Sequence, residues 1–438
     1  MPPRKRRRTS APRRATATSS SPDASSTQAL PANLVAKIAV RTDVATIVRC
    51  AAACKPLRRE ILNPEFIRRV CQESDAVVPS TILGCLDDEM TFSLARPGTS
   101  AAALSFARYH LAPFASRRAA DLIEKYTFAT SRGGLVALAR REVNRRRKSE
   151  RRSDLCVYDP MTDTRAFFPA PPDIGHNPYH GLMGSVTVFS YVILTAAADG
   201  IGCSFMLLAA DMASGFEGRS PRVQTMSSSD ITAAGGKWSP IVTTDHNCPW
   251  WCANMDSYCD AAVVLGGGVV HWLMHAGASF FAQDVREYIL TYDINSSTAG
   301  SIDLPQERQV AANTRGSGSL LAGSSRDGKL RFLATNGFVV SVWVLAPEGG
   351  GWARHAQVDM EAIWSLSEFH PEARGVYLEN FGDQRSGAVF LRVGDDPETL
   401  CSFDVEAEEP RHVMSWFEKS GVPYEVDFAS RLASMKAF

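Results

Sequence analysis

The stretch of sequence that decides the fold is Leu155-Cys156-Val157-Tyr158-Asp159-Pro160-Met161-Thr162. Apolar and aromatic residues followed by Asp-x-x-Thr are typical of a β-strand that ends in a tight turn, because the aspartate side chain accepts hydrogen bonds from backbone N–H groups two residues further on. The strand and the turn recur at residues 207–214 and 289–296, and residues 400–404 repeat the strand alone. Residues 342–345 form a degenerate copy. This recurrence indicates a repeat protein built from β-sheets.

The spacing of the copies predicts the number of sheets. Asp159, Asp211 and Asp293 are 52 and 82 residues apart, and the next two copies follow after 52 and 59 residues. A period of about 50–60 residues is typical of one four-stranded sheet per repeat, as in kelch-like proteins. Residues 127–438 have room for about six such repeats. We therefore predict an irregular β-propeller of five to seven blades, with a β-sandwich or a pair of sandwiches as the alternative.

A helical block precedes the β-rich region. Apolar residues recur at helical spacing over residues 30–72, Thr42-Asp43 offers an N-cap, and Asn63-Pro64 predicts the end of a helix. The pattern predicts four short helices. About ten apolar side chains do not outweigh a backbone entropy of about 1–2 kcal/mol for each ordered residue, so such a block needs a partner surface.

One ordered set of positions runs through the helical block: Leu30-Pro31, Leu34, Ile38, Ile47-Val48-Arg49-Cys50, Cys54-Lys55-Pro56-Leu57-Arg58-Arg59 and Asn63-Pro64-Glu65-Phe66. This set resembles the F-box, in the form found in plant F-box proteins. The chain departs from the family at Leu57, where a Trp is common, and at Thr42-Asp43, where Leu-Pro is common. The alternative is an unrelated helical hairpin that packs on the β-rich region.

This resemblance implies a role in protein ubiquitination. An F-box docks on a Skp-type adaptor and, through it, on a cullin, in an SCF-type E3 ubiquitin ligase. The residues that the resemblance assigns to adaptor binding are Leu30, Pro31, Leu34, Ile38, Ile47, Val48 and Leu57.

The β-rich region extends the resemblance. Residues 131–136, 156–162, 168–172 and 267–273 resemble the blade motifs of the propeller-like domain that follows the F-box in many grass F-box proteins. The fold class expected is therefore an α+β multidomain protein with a small all-α F-box and a large all-β propeller-like domain. Its expected parts are a disordered basic tail (1–29), the F-box (30–72), a linker and lead-in to the first blade (73–126), and a propeller-like domain that binds the target protein (127–438).

The charge of the chain is balanced overall but not along its length. Lysine plus arginine and aspartate plus glutamate each number 47 in 438 residues, so net charge alone favours neither nucleic acid, membrane nor acidic ligand. Residues 1–29 contain no Leu, Ile, Val or Phe, a composition typical of disorder. The short basic run in this tail predicts a nuclear-import signal formed by Arg4, Lys5, Arg6, Arg7 and Arg8.

The tail and the cysteines also predict a compartment. No apolar segment follows the N-terminal charges, which is unlike a secretory signal, and the ten cysteines show no disulfide spacing. Residues 181–198 are uncharged, but their glycines, hydroxyl residues and alternating valines favour a buried strand over a membrane helix. We expect a protein of the nucleus, with the cytoplasm as a second location, that makes no membrane contact.

Searches for catalytic and metal-binding patterns lead to no site. Residues 316–319 lack the spacing of a nucleophile elbow, and residues 235–237 lack that of a phosphate-binding loop. His271 and His275 lie in a predicted strand, where four residues span about 13 Å. The cysteines of residues 248–259 lack zinc-ribbon spacing. We predict no catalytic residue, cofactor or metal, and a protein that is not an enzyme.

Four side chains are candidates for target binding. Trp250 and Trp251 lie in a predicted loop, and Arg146 and Arg147 lie in a basic segment between predicted strands. Trp and Arg often dominate the energy of protein interfaces, although packing between blades and a solvated insertion are the alternatives. A second function from another class is a nuclear propeller scaffold or nucleic-acid-associated protein without a ligase role. Without interleaved aromatic residues, nucleic-acid contact is the minor interpretation.

Overall fold

In a computed structural model, the chain forms a helical block followed by antiparallel β-sheets. The structure describes residues 30–39, 44–71, 81–86, 92–94, 120–140, 154–160, 164–174, 189–211, 220–231, 236–244, 246, 262–276, 286–306, 320–325, 327–346, 351–364, 373–381, 388–394, 400–405 and 422–427.

Four helices form the N-terminal block. They are α1 (Ala32–Ala39), α2 (Val44–Ala53), α3 (Lys55–Ile61) and α4 (Pro64–Cys71). Further short helices cover Ala120–Ile123, Ala196–Asp199 and Met360–Trp364, and a 3₁₀ turn covers Ser228–Asp230. No helix in these described parts of the chain is long and apolar enough to cross a membrane.

Buried apolar side chains and one arginine hold the helical block together. Ile47 and Ile61 are fully buried, and the buried Arg58 donates from Nε to the backbone oxygen of Ala51 at 2.8 Å. The Asn63 side chain accepts a hydrogen bond from the Glu65 N–H at 3.0 Å, which caps α4. The break between α3 and α4 therefore lies at the predicted Asn63-Pro64.

The strands are numbered along the chain. They are β1 (Thr81–Leu86), β2 (Phe92–Leu94), β3 (Tyr126–Arg132), β4 (Leu135–Arg140), β5 (Leu155–Asp159), β6 (Thr164–Phe168), β7 (Phe189–Thr195), β8 (Phe205–Asp211), β9 (Arg222–Ser227), β10 (Val242–Thr243), β11 (Val263–Leu265), β12 (Val269–Ala276), β13 (Arg286–Asp293), β14 (Thr298–Asp303), β15 (Leu320–Ser324), β16 (Leu330–Asn336), β17 (Val339–Leu345), β18 (Trp352–Asp359), β19 (Val376–Phe381), β20 (Ala388–Val393), β21 (Leu400–Asp404) and β22 (Val422–Asp427).

The described strands form six antiparallel sheets. Consecutive strands build the first five sheets, which are β3 to β6, β7 to β10, β11 to β14, β15 to β18 and β19 to β21. The sixth, the closing sheet, has the order β2-β1-β22 and combines strands from the two ends of the chain.

The second and fourth sheets are buried on both faces. In β7, Ile193 packs in the apolar cluster shared with the first sheet, whereas Val192 packs in the cluster shared with the third. In β15, Leu320 faces the third sheet and Leu321 the fifth. A β-sandwich buries only one face of each sheet, so this successive stacking is that of a propeller-like ring. The chain is thus mostly β, with a propeller-like arrangement of sheets.

The closing sheet joins the ring to the segment that follows α4. Strand β1 pairs with β22 from Thr81 opposite Asp427 to Leu86 opposite Val422. The Tyr424 hydroxyl donates to the backbone oxygen of Gly134 in the first sheet at 3.2 Å. Residues 81–94, which the sequence pattern placed in a linker and lead-in, thus supply two strands to the ring.

With one exception, each copy of the sequence repeat ends the third strand of its sheet. Asp159, Asp293 and Asp404 each end the third strand of a sheet, and Leu345 does the same. The Asp293 carboxylate accepts a hydrogen bond from the Asn295 N–H at 2.8 Å, which is the predicted turn. Asp211 instead ends β8, the second strand of its sheet, and this difference explains the irregular interval of 82 residues.

Candidate functional site

Helix α1 and the residues before it present an apolar face to solvent. The exposed fractions are 60% for Leu30, 42% for Leu34 and 56% for Ile38, and Pro31 is exposed as well. Residues four positions apart lie on the same side of a helix, so Leu34 and Ile38 form one continuous stripe. These four residues belong to the predicted adaptor-binding set.

The opposite side of α1 packs inward with small residues. Ala36 and Ala39 are only 4% and 3% exposed, and α1 lies against α3. A surface helix normally turns its large apolar residues toward the core, and α1 does the reverse. Full burial of a Leu or Ile side chain contributes about 1.5–3 kcal/mol, so a partner that covered this face would gain several such contributions. We name Leu30, Pro31, Leu34 and Ile38 the α1 face.

The rest of the predicted adaptor-binding set lies elsewhere. Ile47 and Leu57 are buried inside the helical block, where they form its core and not its surface. The side chain of Val48 lies outside the part of the molecule that the structure describes. Among the members of this set whose side chains the structure describes, those of the α1 face are exposed to a partner and Ile47 and Leu57 are not. Sequence reasoning missed this division because both groups share the same apolar periodicity.

A buried ion pair brings the ends of three innermost strands together. Arg132, the last residue of β3, pairs through both Nη atoms with the carboxylate of Asp199, with Nη2 and Oδ1 2.9 Å apart. The same guanidinium donates to the backbone oxygens of Ile193 at 3.2 Å and Val264 at 3.5 Å. The carboxyl-terminal ends of the first three inner strands therefore meet at one end of the ring, which we name the Arg132 end.

The chain that leaves the helical block enters the ring at the Arg132 end, where β1 begins. Thr81, the first residue of β1, pairs with Asp427, and β22 runs beside β3 with Tyr424 bonded to Gly134. Residues 72–80 join α4 to Thr81, and nine residues span at most about 30 Å. The helical block is therefore tethered close to this end.

The predicted target-binding residues belong to connections that leave the opposite end. In an antiparallel meander, the connection between β4 and β5 and that between β10 and β11 both start away from the Arg132 end. Arg146, Arg147, Trp250 and Trp251 lie in these two connections, outside the described residues, and so do Arg4, Lys5, Arg6, Arg7 and Arg8 of the tail.

Burial shifts the pKa of two described titratable side chains, Cys156 and His271. Burial raises the pKa of the Cys156 thiol to about 12, which keeps it protonated and non-nucleophilic. Burial also lowers the pKa of His271, whose Nδ1 lies 3.3 Å from the backbone oxygen of Val263. Within the described ranges, no three His, Cys, Asp or Glu side chains come together in a way that would hold a metal ion.

Comparison with protein families identifies the β-rich part. The family model described as domain of unknown function, DUF7595, matches residues 92–396, well over half of the chain. The chain belongs to the DUF7595 family. The matched DUF7595 region begins at β2 and ends just after β20. No match was found among curated proteins.

Several solved structures are distantly similar to the chain. A functionally unknown protein from Desulfotomaculum acetoxidans DSM 771 is 12% identical, with 68% of this chain and 75% of that chain covered and a TM-score of 0.31. The α-L-arabinanase of Penicillium chrysogenum is 12% identical, with 61% and 65% covered and a TM-score of 0.28. The Dos1 propeller is 10% identical, with 68% and 61% covered and a TM-score of 0.30. These scores are too low to carry an argument about the function of this DUF7595 protein.

Proposed function

We propose that the chain is the substrate-recognition subunit of an SCF-type E3 ubiquitin ligase. In this proposal the helical block is an F-box that docks on a Skp-type adaptor, and through it on a cullin, while the propeller-like ring holds a target protein. The chain performs no chemistry itself. It raises the effective concentration of the target's lysines beside a ubiquitin-conjugating enzyme that is bound elsewhere in the assembly.

The observation that carries the proposal is the α1 face. Large apolar side chains at Leu34 and Ile38 are exposed on a helix whose inward side consists of alanines. Contiguous exposed apolar residues of this kind mark protein interaction sites. Their sequence positions are those that the resemblance to the F-box assigns to the adaptor.

The ends of the ring at which these chain segments begin support the same proposal. The helical block is tethered at the Arg132 end, whereas the connections that contain Arg146, Arg147, Trp250 and Trp251 leave the other end. Two partners at opposite ends of one ring do not exclude each other.

The proposed location is the nucleus, with the cytoplasm as a second location. Arg4, Lys5, Arg6, Arg7 and Arg8 form a basic run of the kind that nuclear-import receptors recognise. A nuclear ligase subunit would meet nuclear targets.

The direct test is adaptor binding by the purified full-length chain. Leu34→Arg together with Ile38→Arg places two charges on the α1 face, and we expect this variant to lose binding to a Skp-type adaptor in calorimetry. The melting temperature of the ring should change little, because both positions are exposed. Asn33→Arg is the matched control, since Asn33 is exposed on the same helix but is not a member of the α1 face.

Each outcome of this test is informative. Binding by the unmodified chain and by the Asn33→Arg control, with loss in the double variant, would support the proposal. Full binding by the double variant, or no binding by the unmodified chain, would reject the ligase role. The scaffold function would then become the working hypothesis.

A further inference from the structure

Apolar clusters join the first five sheets of the ring in order. One cluster lies between the first and second sheets, and the next three lie between the second and third, the third and fourth, and the fourth and fifth. Each of these clusters contains a fully buried side chain, which is in ring order Leu207, Leu290, Phe332 and Leu333. Because burial of apolar surface is the main force that holds packed sheets together, these four interfaces are firm.

The closing sheet is packed equally tightly against the first sheet. Tyr424 and Val426 of β22 are fully buried, and the Tyr424 hydroxyl donates to the backbone oxygen of Gly134. A methyl group on Gly134 would lie only 3.1 Å from Cγ2 of Val426, so the two sheets approach each other closely. The closing sheet, with the chain that leads to it from the helical block, is therefore attached firmly to the first sheet.

The opposite face of β22 carries a carboxylate. Side chains alternate along a strand, so Glu425 lies on the face away from the first sheet and toward β19 of the fifth sheet. The Glu425 side chain is buried there, with 4% of its surface exposed. Removal of a carboxylate from water costs free energy that its partners must offset. Contact on this face of β22 therefore stabilises the ring less than an apolar contact of equal area.

The fifth sheet turns charged side chains toward the same interface. In β20, Leu391 packs in the cluster shared with the fourth sheet, so Phe390 and Arg392 lie on the other face. Arg392 donates from Nε to the Glu379 carboxylate at 2.6 Å, and its Cζ lies 4.5 Å from the centre of the Tyr377 ring. The side chains of Arg392 and Glu379 are 23% and 14% exposed, so water reaches this interface. We name it the seam, and its described residues are Tyr377, Glu379, Phe390, Arg392 and Glu425.

We infer that the ring opens at the seam before any other two neighbouring sheets separate. The closing sheet then stays on the first sheet, and the fifth sheet stays on the fourth, so that a closed ring becomes a C-shaped one while every sheet remains folded. Strands β1 and β2 follow the helical block along the chain, so the block moves with the first-sheet side of the opening. Such an opening needs less free energy than unfolding of the whole ring. The inference does not depend on the proposed ligase role.

The first experiment measures how fast a thiol reagent reaches the seam in the full chain. Phe390→Cys places a thiol in the seam, and Phe332→Cys is the matched control, because Phe332 lies in β16, the second strand of its own sheet, and packs between the third and fourth sheets. Both phenylalanines are buried, so the reagent reaches either thiol only after an opening. Mass spectrometry of the labelled peptides separates these thiols from the native cysteines. We expect labelling about tenfold faster in the seam.

Urea distinguishes an opening of the seam from unfolding of the chain. Opening of the seam exposes little surface, so labelling of the Phe390→Cys variant should change little between no urea and about 1 M urea. Labelling of the Phe332→Cys variant should rise steeply over this range, because it follows global unfolding. Equal rates with equal urea dependence, or faster labelling of the control, would overturn the inference. So would a Phe390→Cys chain that fails to fold although the Phe332→Cys chain folds.

A second pair of variants decides the matter without a buried thiol. Arg392→Met with Glu379→Met replaces the charged pair of the seam by apolar side chains and should raise the melting temperature of the full chain by about 2 °C or more. Arg165→Met with Asp121→Met is the matched control, since this exposed pair is 3.0 Å apart and Arg165 Cζ lies 5.8 Å from the centre of the Tyr158 ring. The control should melt at nearly the unmodified temperature. A seam variant that melts at or below the temperature of the control would overturn the inference, because its charged pair would then hold the seam closed.

Discussion

Arg132 and Asp199 lie 67 residues apart in the sequence and form a buried ion pair between the first two sheets of the ring. Asp199 closes the short helix after β7, and its carboxylate also accepts a hydrogen bond from the Thr195 N–H at 2.8 Å. Because the same arginine reaches the third sheet through Val264, one side chain links three innermost strands.

Asp199→Asn should destabilise the ring strongly. The change leaves a buried guanidinium without its counter-charge, which typically costs about 3–5 kcal/mol. Thermal unfolding followed by circular dichroism measures the loss. Asp121→Asn is the control, because Asp121 and Arg165 form an exposed ion pair 3.0 Å apart, and such pairs contribute about 0–1 kcal/mol. Equal effects of the two substitutions would mean that the buried pair does not hold the inner strands.

Gly375→Ala should also lower the melting temperature. A methyl group on Gly375 would lie 2.6 Å from the backbone oxygen of Gly337 and 2.8 Å from its carbonyl carbon. These are backbone atoms that cannot rotate away, and Val376 N–H donates to the same oxygen at 2.9 Å. Overpacking of this kind costs about 1–3 kcal/mol or more.

Gly202→Ala is the control for this steric prediction. A methyl group there meets no atom within 4 Å. We expect its melting temperature to stay close to that of the unmodified chain. A Gly375→Ala protein of equal stability would show that the two backbone segments are not in close contact.

The ring should lose stability in mild acid through His271. Burial lowers the pKa of His271 below its ordinary value of 6.5, so the unfolded chain binds this proton at a higher pH than the folded chain does. The contribution of the neutral His271 imidazole to the free energy of unfolding is fully present above about pH 6.5. It falls as pH drops below that value, by up to about 1.4 kcal/mol per pH unit.

His271→Gln should flatten this pH dependence. Denaturant unfolding between about pH 7.5 and pH 5.5 measures it, and the variant should lose less stability across this range than the unmodified chain. His355→Gln, at an exposed position of β18, is the control and should leave the slope unchanged. Parallel slopes for all three proteins would contradict a role of His271.

The propeller-like arrangement could be predicted from the sequence because its turns are local. Asp159 and Asp293 each end a strand and start a turn within a few residues, so the chemistry that forms the turn is visible in a short window. Asp211 shows the limit of this reasoning. Its local sequence is similar to that of the other copies, but its place as a second strand depends on which strands pair.

Non-local pairing and burial account for what the sequence did not reveal. Thr81 and Asp427 are paired in the closing sheet. Neither segment carries a sequence pattern that predicts this pairing. Likewise, Leu34 and Leu57 share one apolar pattern, yet the first is exposed and the second is buried. Which apolar side of a short helix faces inward is decided by the packing of small residues such as Ala36.

Removal of residues 1–14 should move the protein from the nucleus to the cytoplasm. The deletion takes away Arg4, Lys5, Arg6, Arg7 and Arg8, and a chain of 47.7 kDa enters the nucleus slowly without a signal. Fluorescence microscopy of tagged full-length and shortened chains measures the distribution. The tail fused to an inert carrier is the complementary test, and a carrier that stays cytoplasmic would argue against an import signal.

Trp250→Ala with Trp251→Ala should raise the cellular level of the target without weakening adaptor binding. Truncation of an aromatic anchor at an interface typically costs about 2 kcal/mol, or roughly thirtyfold in affinity, so the target would escape ubiquitination. Leu34→Arg should raise the target level as well, but by abolishing adaptor binding, since Leu34 belongs to the α1 face and the two tryptophans belong to the connection between β10 and β11. Quantitative proteomics with and without a proteasome inhibitor measures the first effect, and calorimetry with the adaptor measures the second. If the tryptophan variant instead melts several degrees lower than the unmodified chain, the tryptophans pack between sheets, and the target-binding surface lies in other connections at that end.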